Sequence, residues 1–149
     1  KASGMDTENV EFVYDYQLKE RGDYWKTVME IARNATLKRL LRCSQIMGRK
    51  EDEALQGSQI IYPCMQAADI FELKADITQL GMDQRKVNVL AREIGPSLGY
   101  WKPVVVSHHM LLGLGKPVSQ TKDATERAIE LKMSKSRPDT CIFVLQFFD

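Results

Sequence analysis

The sequence predicts an α/β domain in which parallel strands pack against helices. Three observations carry this reading: a strand, glycine turn and helix in succession between Ala75 and Ile94, an unbroken run Val104-Val105-Val106, and apolar residues at helical spacing from Tyr24 to Met47. A strand that turns at a glycine into a helix is the repeating unit of an α/β sheet. Consecutive valines suit a strand covered on both faces, as in a parallel sheet.

The elements follow in order. Glu11-Phe12-Val13-Tyr14 is a short β-prone run ended by Asp15, and a strand is expected there. Asp23 is placed to cap a helix whose inner stripe is Tyr24, Val28, Ile31 and Ala32, with Lys26, Glu30 and Arg33 elsewhere. Thr36 starts a second helix with Leu37, Leu40, Leu41, Ser44 and Met47 on one side, closed by Gly48. Gly57-Ser58 opens a third, through Ile60, Ile61, Met65, Ala68 and Phe71; Pro63 predicts a first-turn position or a kink near Tyr62. Ala75 to Gly81 reads as a strand, Asp83 to Ile94 as a helix stopped by Gly95-Pro96, and Lys102 to Ser107 as the next strand. From Gly113 to Glu130 the chain is polar, the best candidate for a mobile loop, with a short helix predicted over Ala124 to Leu131.

Composition bounds the possibilities without choosing among them. A chain of 149 residues fits one domain, and 44% hydrophobic with 28% charged residues is ordinary for a globular protein. The 21 basic and 20 acidic side chains leave a net charge of +1, so any RNA contact is local rather than the work of a global basic field. Cys43, Cys64 and Cys141 are odd in number and far apart, which predicts reduced thiols in the cytoplasm rather than a disulfide framework or a zinc site. No apolar run approaches the roughly 20 residues of a membrane span. The opening Lys1-Ala2-Ser3-Gly4-Met5 reads as sequence from within a longer protein.

Three segments could carry chemistry. In Tyr62-Pro-Cys-Met-Gln66-Ala-Ala-Asp69, the residues Tyr62, Gln66 and Asp69 stand at i, i+4 and i+7 and share one helical face. Buried, each polar group needs a partner, which a polar ligand would supply; a solvated face is the plainer alternative. Gly81 ends a strand at the edge where open α/β sheets bind ligands. Asp83 can either cap the next helix or accept from a ribose hydroxyl, and Gln84 can reach a ligand amino group. Lys132-Met133-Ser134-Lys135-Ser136 places two lysines in a loop with hydroxyl donors, a polyphosphate clamp or a solvated basic loop. His108 and His109 are adjacent in a strand and face opposite ways, so a shared metal is not expected. Trp25 and Trp101 read as packing residues.

In this order and spacing, the three segments resemble the second half of the catalytic domain of archaeal and eukaryotic cytosolic tyrosyl-tRNA synthetases, a class I, Rossmann-like domain. The resemblance spans nearly the whole chain and is most specific from Tyr62 to Glu93. It implies activation of tyrosine by ATP, with magnesium accompanying the nucleotide, to tyrosyl-adenylate, then transfer to tRNA(Tyr). It implies that Tyr62, Gln66 and Gln84 hold the ammonium end of tyrosine and that Asp69 meets the phenol hydroxyl. Gly81 and Asp83 are implied as ribose contacts, Met110 and Leu111 as the adenine edge. Lys132 and Lys135, with Met133, Ser134 and Ser136 in the same loop, are implied to stabilise the departing pyrophosphate. No tightly held metal and no membrane contact are expected, and a homodimer in the cytoplasm is.

The sister family, tryptophanyl-tRNA synthetase, shares the Tyr-Pro helix and the Gly-x-Asp-Gln turn; Gln66 with Asp69, and Lys135, favour tyrosine. A noncatalytic binding module derived from a synthetase is the other alternative. The His-x-Gly-His element that such enzymes carry in their first half does not occur in this sequence. The expected organisation is therefore a partial catalytic domain, first half absent and inactive alone. Connective and dimer-interface helices fill about 1–50, the amino-acid and nucleotide half 54–112, and the lysine-loop region 113–149.

Overall fold

The computed structural model describes residues 4, 6–44, 55–116, 127, 130–134 and 137–142. The chain divides into two compact units, Tyr16–His109 and the combination of Lys1–Asp15 with Met110–Asp149.

In the first unit, α2 (Tyr24–Asn34) buries Tyr24, Thr27, Val28 and Ile31, the i, i+3, i+4, i+7 spacing of one helical face. It follows the short helix α1 (Asp15–Lys19). Asp23 stands at the N-cap but its side chain makes no capping bond, because its backbone is helical rather than extended. In α3 (Leu37–Ser44), which begins after Thr36 as the sequence predicts, the Thr36 hydroxyl accepts from the Arg39 amide at 3.2 Å. Its buried residues are Leu40 and Cys43, whereas Leu37 faces outward. Gly48, expected to close this helix, lies outside the described residues.

The central element is α4 (Gly57–Glu72), against which α2, α3 and the later helix α5 all pack. A capping box between Gln56 and Gln59 opens it. Of the two expectations for Pro63, a first-turn position or a kink near Tyr62, the first is not met: it sits in the second turn, inside the helix. The proline forfeits one backbone bond, and its fully buried ring is part of the core. Lys74, just after the helix, takes φ +52°, and the Ala75 amide returns to the Ile70 carbonyl at 3.0 Å. This left-handed residue turns the chain from α4 into the sheet.

Strand β1 (Ile77–Gly81) pairs in parallel with β2 (Val104–His108), Ile77 opposite Val104 and Gly81 opposite His108. Helix α5 (Arg85–Ile94) connects them after a 3₁₀ turn at Met82–Gln84, completing the βαβ unit that the sequence predicts. Burial on both faces of the valine strand is not found. Val104 and Val106 are 54% and 44% exposed. In a strand, alternate residues face opposite ways; helix α5 packs on the sheet, and the side bearing Val104 and Val106 is left about half open.

Arg92 of α5 donates to the Pro103 carbonyl at the entry to β2. Phe71 stacks on Tyr100 with ring centroids 4.4 Å apart, and Trp101 meets Phe71 edge-on while donating its indole N–H to the Ala75 carbonyl at 3.2 Å. Gly95 is required in this cluster: a Cβ there would stand 2.7 Å from the Trp101 carbonyl oxygen and 3.1 Å from the Phe71 ring. Trp101 thus packs as expected, while Trp25 remains 48% exposed with its ring set edge-on to Tyr24.

In the second unit the strand expected at Glu11–Tyr14 is absent. That stretch is coil, with Phe12 and Tyr14 exposed, since a β-prone run needs a neighbouring strand and none pairs with it among the described residues. Of the predicted polar loop, 117–126 lies outside the described residues, and helix is assigned at Arg127, Glu130 and Leu131.

Candidate functional site

The polar stripe on α4 is neither fully solvated nor fully buried. Tyr62 is 50% exposed, whereas Gln66 and Asp69, one and two turns further on, are partly buried. Gln66 donates its Nε2 proton to Oε1 of Gln84 at 3.1 Å. That contact brings together residues 18 positions apart, one on α4 and one in the turn that leaves the ligand edge of β1. Asp69 is held from the other side: the hydroxyl of Tyr24 on α2 donates to its Oδ1 at 2.8 Å.

Gly81 and Asp83 lie where the sequence places them. Gly81 is the last residue of β1, at the C-terminal end of the parallel pair, and Asp83 is the middle residue of the 3₁₀ turn that leads into α5. The N-cap position of the turn is Gly81 and that of the helix is Gln84, and neither makes a side-chain cap. His108 ends β2 opposite Gly81 and turns its Nδ1 to the His109 carbonyl at 2.9 Å.

In the other unit, Met110 and Leu111 are adjacent in space to the lysine motif. The Met133 amide donates to the Leu111 carbonyl and the Gly113 amide to the Leu131 carbonyl, both at 2.7 Å, around an antiparallel bridge between Leu112 and Lys132. Segments some 20 positions apart in sequence are thereby one local ladder, with Lys132, Met133 and Ser134 partly buried. The Ser134 carbonyl accepts from both the Arg137 amide at 2.9 Å and the Cys141 thiol at 2.7 Å. Lys135 and Ser136 lie outside the described residues.

Sequence reasoning missed Tyr24 as a polar contributor, reading it only as part of an apolar stripe. A signal was available: a buried tyrosine has a hydroxyl that must find a partner. It also missed Thr27, which lies between Glu72 Oε1 at 3.2 Å and the Tyr100 hydroxyl at 3.1 Å. Asn88, one turn beyond Gln84, is fully buried with neither amide atom paired among the described residues, and no periodicity marks it out. Burial, with Cys43 nearby, pushes the Cys64 thiol up to about 11, and burial raises Cys43 despite Arg39. Both are neutral at physiological pH, and the thiolate is the reactive form.

The sequence model of the family described as tRNA synthetases class I (W and Y) matches residues 1–147. The chain belongs to this family. Tyrosine--tRNA ligase 1, cytoplasmic, of Arabidopsis thaliana is 51% identical over 97% of the chain and 35% of that protein. The crystal structure of tyrosyl-tRNA synthetase from Pyrococcus horikoshii complexed with L-tyrosine matches with a TM-score of 0.83 and 42% identity, over 95% of the chain and 42% of that structure. Tryptophanyl-tRNA synthetase from Aeropyrum pernix K1 shares the fold at a TM-score of 0.64 with 22% identity. The resemblance to tyrosyl-tRNA synthetases of archaeal and eukaryotic cytosolic type, and to their Rossmann-like α/β domain, is thus borne out. Among class I synthetases of this family, the chain is much nearer to the tyrosine enzymes than to the tryptophan ones. It spans well under half the length of these relatives.

Proposed function

We propose that the full-length protein containing this chain is a cytoplasmic tyrosine–tRNA ligase. It joins tyrosine and ATP, entering as the magnesium complex, into tyrosyl-adenylate, then passes the tyrosyl group to tRNA(Tyr). The observation that carries this is the face of α4: Tyr62, Gln66 and Asp69 in line, with Gln66 bonded to Gln84 beside the ligand edge of the sheet.

Tyr62, Gln66 and Gln84 hold the ammonium group, and Asp69, one turn deeper, accepts from the phenol hydroxyl. A site built to bond a hydroxyl rejects the analogue without it, because its buried polar group is then unpaired. Gly81 and Asp83 receive the ribose, and Met110 and Leu111 the adenine edge. The nucleophile is the substrate's own carboxylate attacking the α-phosphorus, so the protein contributes alignment and charge stabilisation rather than a nucleophile. Lys132 and Lys135 of the lysine loop, with Met133, Ser134 and Ser136, neutralise the charge that builds on the leaving pyrophosphate. Residues about 54–112 serve the amino acid and nucleotide, 113–149 the loop chemistry, and about 1–50 the dimer contact; the chain alone is inactive.

Pyrophosphate exchange by the full-length protein is the test. Exchange should depend on tyrosine, and Lys135→Ala or Asp69→Ala should lower it on the order of 100-fold or more. Exchange dependent on tryptophan instead, or unaffected by either substitution, would overturn the assignment. Calorimetry showing no binding of tyrosine or an adenylate analogue would mark a noncatalytic synthetase-derived module.

A further inference from the structure

We infer that Tyr24 is a positioning residue that sets the direction of the Asp69 carboxylate and thereby the preference for a hydroxylated aromatic side chain. The inference rests on the reading of Asp69 as the acceptor for the phenol of tyrosine.

Tyr24 is 0% exposed, so its hydroxyl has no access to solvent. Two acceptors lie near it on the same turn of α4: Asp69 Oδ1 at 2.8 Å and the Met65 carbonyl oxygen at 3.4 Å. A phenol has one proton to give, and the nearer acceptor takes it. The torsion that orients a carboxylate joins tetrahedral to planar carbon and is intrinsically soft. A carboxylate left to that torsion presents its acceptor oxygen over a broad range of directions. The bond from Tyr24 restrains one oxygen and, because the carboxylate is rigid and planar, the direction of the other with it.

The donor is itself held still. The Tyr24 ring packs edge-on against Trp25 with centroids 5.5 Å apart. One turn along α2, Thr27 donates to Glu72, one turn along α4 from Asp69. Helix α2 is therefore tied to α4 at both turns, and of the two ties only the first ends on a residue of the proposed tyrosine site. Ring packing alone would be served equally by phenylalanine; the hydroxyl is what the packing does not explain.

Tyrosine and phenylalanine activation by the full-length protein, measured in the wild type, Tyr24→Phe, Asp69→Asn and the double variant, tests this. Tyr24→Phe should raise the KM for tyrosine and lower the tyrosine-over-phenylalanine ratio of kcat/KM on the order of tenfold, leaving kcat and the KM for ATP unchanged. In the Asp69→Asn background the same change should have little further effect, since residues acting through one another are not additive. Thr27→Val, which cuts the neighbouring tie, should lower the melting temperature without moving the ratio. An unchanged ratio in Tyr24→Phe, an equal change in Thr27→Val, or a Tyr24→Phe protein that does not fold would each overturn the proposal. If Asp69→Asn itself leaves the ratio intact, the failure lies with the reading of Asp69.

Discussion

At the scale of single residues, this domain separates reactive-looking groups that are inert from bland-looking ones that organise a site. Cys64 is a buried thiol beside Cys43, and desolvation disfavours its anion, pushing its pKa up to about 11 from 9.0. An acid whose pKa is higher folded than unfolded keeps its stabilising effect below the unfolded value and loses it as pH rises through the folded one. Thermal melts should therefore show stability falling between pH 9 and about 11, with a shallower fall in Cys64→Ala; parallel slopes in the two proteins would contradict this. Tyr24 is the opposite case. Its place in a helical stripe is legible in sequence as a core position, yet its hydroxyl meets Asp69, 45 positions away, and only the crossing of α2 and α4 makes that pair.

Among the elements, α4 does most to position the site, and its two ends show how far local sequence goes. Its start carries a capping box, and the stripe Tyr62, Gln66, Asp69 follows from helical spacing alone. Its end depends on Lys74 in a left-handed conformation, which costs a residue with a Cβ about 1 kcal/mol or more relative to glycine. Lys74→Gly should accordingly raise the melting temperature by a few degrees, with exchange activity of the full-length protein unchanged; a lower melting temperature would show that the long side chain contributes more than its backbone costs. Strand β2 teaches the reverse lesson. Its valines correctly announced a parallel partner, but covering both faces requires a second layer, which a run of residues cannot report. The expected strand at Glu11–Tyr14 failed for a related reason: β-propensity describes fitness for a sheet, not the presence of a neighbour.

At the scale of the whole molecule, the surface of α2 turned away from α4 bears on assembly. Trp25 and Met29, at i and i+4, are 48% and 60% exposed, an apolar pair on a helix whose opposite face is buried. Within the proposed function this face belongs to the homodimer contact placed in about 1–50. Sedimentation of the full-length protein at micromolar concentration should give a dimer, and Trp25→Glu with Met29→Glu should shift it toward monomer; a monomeric parent, or a dimer indifferent to both charges, would place the contact elsewhere. Among the described residues no helix is long and apolar enough to cross a membrane.

From Tyr24 to Ser107 the sequence by itself determined the succession of helices and strands, and with it the parallel pairing and the family, because these rest on local periodicity, on turn chemistry at residues such as Gly81, and on motifs contiguous in the chain. Only the tertiary structure decided which polar groups meet: Gln66 with Gln84, Asp69 with Tyr24, and the Leu111 strip with Met133. Hydrogen bonds between distant segments depend on how helices cross and which way each side chain leaves its face, and neither is written in the spacing of letters along one element.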